Sequence, residues 1–173
     1  MSGAEFSYRV DVAELPAAGK RYELDAAEPV RASVARRLGA PALNRLKGAF
    51  LLRATKGGLV LDGRLEASLT RQCVVSLEPF EEVLEEDFRI VFARAPGPVE
   101  EDGALLVEED TPEPLEEDGL DLAEILVQQL SLVMAPHPRK PGAEPLRAAS
   151  GPAETGSPFE KLKDAIAHDR DGG

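Results

Sequence analysis

Tryptophan is absent from this chain, cysteine occurs once and histidine only twice in 173 residues. A single cysteine excludes an internal disulfide and matches a reducing compartment. Cys73, His137 and His168 are too few and too scattered for a zinc site, which needs clustered thiols or imidazoles. Aromatic residues make up only 5% of the chain, against 43% hydrophobic residues overall. The core must therefore be built from Leu, Val and Ala, and the stacking platforms that many RNA-binding domains present are missing. Long apolar runs are missing too. The most apolar stretch, Leu120 to Ala135, is interrupted by Asp121, Glu124, Gln128 and Gln129 and is too short to span a bilayer. The first residues, Met1 to Phe6, hold no basic segment leading into an apolar one, so no secretory leader is expected. These shortages point to a soluble cytoplasmic protein with no membrane partner.

The motifs of several chemistries are equally lacking. Glu108-Glu109-Asp110 and Glu116-Glu117-Asp118 do not have the turn glycine and ligand spacing of a calcium loop. Lys56-Gly57-Gly58 reads as a hairpin turn and not as a phosphate-cradling junction between strand and helix. Cys73 is the one candidate thiol nucleophile, and neither histidine is spaced to serve as its base. The expectation is a binding protein with no catalytic residue, no cofactor, no metal and no small-molecule substrate. A thiol-dependent enzyme using Cys73 stands as the alternative from another class.

Charge is abundant and unevenly spread. The net charge is −12. Between Val30 and Leu61 every charged residue is basic: Arg31, Arg36, Arg37, Arg45, Lys47, Arg53 and Lys56. Between Cys73 and Leu130 there are 18 acidic residues against Arg89 and Arg94. Such asymmetry speaks to partners and not to fold. Arg31, Arg36 and Arg37 on one element, with Arg45, Lys47 and Arg53 on the next, are the candidate phosphate-facing residues if the two elements are neighbours. The acidic half suits a basic protein partner. Both halves are also compatible with plain solvated surface.

The pattern of apolar residues predicts an α+β fold. Phe6, Tyr8, Val10 and Val12 alternate as in a half-buried strand, and Tyr22 and Leu24 mark a second. Pro29 opens a short helix with Val30, Val34 and Leu38 on one stripe, and Gly39 closes it. A three-strand meander follows. Leu46, Phe50, Leu52 and Ala54 share one face of its first strand, and Leu59, Leu61, Leu65, Ala67 and Leu69 share one face of its second, with Cys73 continuing the inward parity. Phe80, Leu84, Phe88, Ile90 and Phe92 line the third, with Glu81, Glu85 and Asp87 opposite. Short turns between such strands imply antiparallel pairing. Residues 94–118 read as an acidic, proline-rich loop with a short strand at Ala104 to Val107. A helix beginning at Asp118 or Gly119 carries Leu122, Ile125, Leu126, Leu130 and Val133 inward, widened by Leu120, Val127 and Leu132. The fold class is thus an antiparallel sheet of about five strands packed by one or two helices, in a domain spanning residues 1–135. Residues 136–173 form a flexible, partly disordered tail. Within it Ser157, Pro158 and Glu160 cap a short amphipathic helix near 158–168, whose Phe159, Leu162 and Ile166 are candidate docking residues.

One stretch is less anonymous. Gln72-Cys73-Val74-Val75-Ser76-Leu77-Glu78-Pro79-Phe80 resembles the signature of the YceD-like family, the large ribosomal RNA subunit accumulation proteins. Gln72, Cys73, Leu77, Glu78, Pro79 and Phe80 are its signature positions. Glu116 to Leu122 followed by Pro138 to Ala143, and Ser157 to Leu162, resemble two further parts of the same family. The resemblance implies a role in synthesis, processing or stability of large-subunit ribosomal RNA, with a ribosomal protein or an rRNA precursor as partner and no enzymatic activity. Some members carry several cysteines that look like metal ligands; only Cys73 is present here, so no metal role carries over. A general interaction adaptor docking through Phe159, Leu162 and Ile166 is the remaining alternative.

Overall fold

A computed structural model of the chain describes residues 6–94 other than Glu14 and Ala17, and residues 100–101, 104–105, 112–115 and 119–144. The elements run β1 (Arg9–Val10), β2 (Lys20–Asp25), α1 (Glu28–Arg37), β3 (Ala42–Thr55), β4 (Gly58–Gln72), β5 (Pro79–Ala93), β6 (Glu100–Glu101), β7 (Ala104–Leu105), β8 (Glu113–Pro114), β9 (Leu120–Asp121) and α2 (Leu122–Val133). The alternating segments of the sequence become three long strands, β3, β4 and β5, paired antiparallel over almost their whole length. With β2 on one side and β8 on the other they form a five-stranded sheet in the order β2-β3-β4-β5-β8. The expected α+β architecture is what the chain adopts. One detail differs from a wholly antiparallel sheet: β8 joins parallel to β5, at Phe92 and Ala93 only. Two short ribbons complete the topology, β1 with β9 and β6 with β7.

Side chains alternate across the sheet, so each long strand has one dry face. Leu46, Leu52, Leu59, Leu61, Leu65 and Leu69 are fully buried there, together with Leu122, Leu126 and Leu130 of α2 and Val34 and Ala35 of α1. Both helices therefore belong to the same core. Gly63 belongs to this face as well. A Cβ at that position would stand 2.3 Å from the Phe88 ring, so the bare backbone of β4 is what lets the ring lie over it. Phe88 in turn meets Phe50 edge-on, with centroids 6.2 Å apart.

α2 begins later than its apolar stripe suggests. Leu120 and Asp121 are spent on β9, pairing with Val10 and Arg9, and Asp121 then caps the helix. Its Oδ1 accepts from the amides of Ala123 and Glu124 at 3.0 and 3.2 Å and from that of Tyr8 at 2.9 Å, while Oδ2 accepts from the Ser7 hydroxyl at 2.6 Å. Burial pushes this carboxyl up, yet the Ser7 hydroxyl and the three amides outweigh it and hold the group below the usual carboxylate range. The same short pairing explains why the N-terminal alternation yields only a two-residue strand: β9 has nothing further to offer before the helix starts. Leu132, expected on the apolar stripe, is 75% exposed.

The chain stays folded past Ala135, and the compact unit extends to Ala143. Pro138 is buried, and its carbonyl accepts from the Val74 amide at 2.9 Å. Phe159, Leu162 and Ile166 lie outside the described residues.

Candidate functional site: the cysteine turn and the charged sheet face

The turn between β4 and β5 is built by the residues the sequence singled out. The Cys73 amide donates to the Glu78 carbonyl and the Leu77 amide to the Cys73 carbonyl, both at 2.9 Å. Leu77 adopts the left-handed conformation with φ 60, which is uncommon for a residue with a branched side chain. The Gln72 side chain donates to the Leu77 carbonyl at 3.1 Å. Lys140 Nζ donates to the Glu78 carboxylate at 2.9 Å and, more than any other contact, holds that carboxyl below its usual range. Pro79 opens β5, a position where an edge strand tolerates the missing amide. The signature is thus a self-bonded turn, strapped down by Pro138 and Lys140.

Cys73 is fully buried. Its Sγ accepts from the amides of Val75 and Ser76, each at 3.4 Å. The Ser76 hydroxyl, then the amides of Ser76, Lys140 and Val75, bring the thiol from 9.0 down to about 6, against the opposing effect of burial. The acidity comes from backbone donors and one hydroxyl, with no histidine involved; His137 is exposed. Sequence reasoning looked for a base and so did not find Ser76 or Lys140. The sulfur meets no solvent, and the geometry assigns it to the turn's own hydrogen bonding. Among the described residues no three His, Cys, Asp or Glu side chains converge as a metal site would require.

One polar pair is drawn into the sheet beside the turn. Arg71, which shares its face with Leu69 and Cys73, is only 8% exposed. It donates to Glu82 on β5 at 2.9 Å and to the Ala135 carbonyl at 2.8 Å. An arginine in an alternating pattern gives no hint that it faces inward, so the sequence did not reveal this anchor.

The opposite face of the sheet is a lattice of charges. On β3, Lys47 pairs with Asp25 of β2 at 2.8 Å, Arg45 with Glu66 of β4 at 2.6 Å, and Arg53 with Asp62. On β4, Arg64 reaches Glu85 at 2.9 Å and Asp87 at 3.3 Å on β5. The six candidate phosphate-facing cations do not gather into one bare surface. Arg31, Arg45 and Lys47 surround Asp25, and with the Lys47 hydrogen bond as the leading cause they keep its carboxyl below the usual range. Arg31 also donates to the Ala26 carbonyl at 2.6 Å. Arg37 is turned to α2, where it grips Glu124 with both terminal nitrogens. Arg36 is exposed at the end of α1.

β5 has a different balance. Glu81, Glu82, Glu85, Glu86 and Asp87 crowd into it; Arg64 reaches Glu85 and Asp87, and Arg71 reaches Glu82. Glu81 takes the Ser68 hydroxyl instead. Val83, between Glu81 and Glu85 on the same face, is 66% exposed.

The cysteine turn, β5 and α2 all fall within residues 61–166, which match the family model described as large ribosomal RNA subunit accumulation protein YceD. The chain belongs to the YceD family. That family is named for accumulation of large-subunit ribosomal RNA and not for any catalysis. The matched span contains the acidic strand and all six signature positions, whereas Arg31, Arg36, Arg37, Arg45, Lys47 and Arg53 precede it. No curated protein and no solved structure matches the chain. No helix among the described residues is long and apolar enough to cross a membrane.

Proposed function

We propose that this YceD-family protein is a non-enzymatic cytoplasmic factor that supports synthesis, processing or stability of large-subunit ribosomal RNA by holding a basic ribosomal protein. The observation that carries this reading is the balance of charge on two strands. On β3 three cations meet three carboxylates, whereas β5 carries five carboxylates and one cation of its own, Arg89, with Arg64 and Arg71 reaching across from β4. Exposed surplus negative charge, on a molecule of net charge −12, repels phosphates and draws lysine and arginine. Binding of an rRNA precursor is the competing reading, favoured by the gathering of Arg31, Arg45 and Lys47 around Asp25.

Depletion of the protein should lower large-subunit RNA relative to small-subunit RNA, and unchanged subunit profiles would refute the proposal. The partner class is then separated by two variants. Neutralising Glu81, Glu85 and Asp87 together should abolish capture of ribosomal protein, while Arg45→Glu with Lys47→Glu and Arg53→Glu should leave it intact. The reverse result would identify RNA as the partner.

A further inference from the structure

Among the described residues, β5 is paired along one side almost exclusively. It pairs with β4 from Pro79 to Ala93, but its far side meets β8 at Phe92 and Ala93 alone. The hydrogen bonds at the two ends set which residues look outward. Cys73 donates to Glu78, and Arg94 donates to Gly57, so in this register the even-numbered residues of β5 exchange bonds with β4. The odd-numbered ones turn their amides and carbonyls away from the sheet. Ala93 agrees with this alternation, because its carbonyl accepts from Leu115 next to β8. Glu81, Val83, Glu85 and Asp87 therefore turn a row of backbone groups outward that no strand among the described residues pairs, and their side chains are exposed. Pro79 stands at the head of this edge.

Such an edge either has to be guarded or is meant to be filled. Its carboxylates guard it against copies of itself by like charge, and the same carboxylates select what can fill it. We infer that the edge of β5 from Glu81 to Asp87 takes up an extended, lysine- and arginine-rich polypeptide segment as an added strand. Main-chain bonds to the odd-numbered residues would give affinity, and Glu81, Glu85 and Asp87 would give selectivity for basic side chains, with Val83 offering an apolar contact between them. This inference rests on the reading that the partner is a basic protein, and it adds where and how that partner is held.

The test uses the full chain and a synthetic peptide of alternating lysine and valine, together with a copy N-methylated at every residue so that neither of its edges can donate. The plain peptide should slow amide hydrogen exchange at Val83, Glu85 and Asp87, and the methylated copy should not. Val83→Pro removes an outward donor while sparing the bonds to β4, and should weaken the peptide by about tenfold, the effect of one unmade hydrogen bond with a stranded carbonyl. If that variant does not fold, the methylated peptide decides alone. Equal binding of both peptides would overturn strand addition while leaving a charge-selected protein partner in place. No binding of either at low salt would also overturn it, the acids then serving only to keep the edge free. Peptide binding combined with normal large-subunit RNA in depleted cells would keep the edge inference and refute the ribosomal role.

Discussion

β3 and β5 carry opposite charge in the sequence, yet they differ more in position than in sign. β3 lies inside the sheet, with a strand on each side, and its cations find carboxylates on both neighbours. β5 has β4 on one side and, along most of its length, no strand among the described residues on the other, so its carboxylates outnumber the cations within reach. A run of like charges in a sequence becomes a charged surface only where the sheet order denies it partners. The basic stretch is the more conspicuous of the two in the sequence, and in the fold it is the better neutralised.

The contrast can be strained most severely at Glu82, the β5 carboxylate that Arg71 draws into the fold. Arg71→Ala leaves Glu82 half enclosed without its cation, and should cost about 3 kcal/mol in urea unfolding, as removal of one partner of a buried pair does. Replacing the pair by Arg71→Met with Glu82→Leu should recover most of that loss; a failure to recover would mean that the bond to the Ala135 carbonyl matters more than the ion pair. Next comes the turn that delivers the chain into β5. The Cys73 thiol ionises near 6 in the folded protein against 9.0 for an ordinary thiol. A depressed acid adds stability that is complete above the unfolded value and vanishes as pH falls through the folded one. The unfolding midpoint should therefore rise between about pH 6 and 9, and Cys73→Val should flatten that rise; Glu78, the carboxylate beside the turn, is held below its usual range and so does not titrate in that window. Leu77→Gly relieves the left-handed backbone and should stabilise by about 1 kcal/mol, read as a higher melting temperature. The smallest effect belongs to β3. Lys47→Ala should cost no more than about 0.5 kcal/mol, as exposed ion pairs do. A loss well above this would show that the β3 cations hold the sheet together and would erase the difference between the strands.

Much of this architecture was readable from period alone. Leu65, Ala67 and Leu69 alternate with Glu66, Ser68 and Thr70, and Pro29 with Gly39 brackets α1, because these signals are local. What escaped reading depends on distant partners. Asp121 looks like one more acid in an acidic half, and only the approach of Ser7 and Tyr8 makes it a cap shared between the chain's beginning and α2. Arg71 looks like a surface residue until Glu82 and Ala135 close around it. For the charged face, the sequence grouped the cations by their nearness along the chain but could not say which carboxylate each would meet, since that follows from a register set by Gly57 and the Cys73 turn together. The cysteine was legible as buried from its parity; its acidity was not, because it arises from amides that no side-chain pattern records.

The hydrogen bond from Val74 to Pro138 has a mechanical meaning. It ties the turn before β5 to the segment after α2, so everything between them forms a closed circuit of chain, fastened at both ends to the same hairpin. A single backbone cut between residues 95 and 118 would open that circuit without releasing either piece: β5 would stay laced to β4, and α2 would stay seated on the leucines of the sheet with its exit buttoned to the turn. The two fragments should then behave as halves of one molecule, able to find each other and restore the whole.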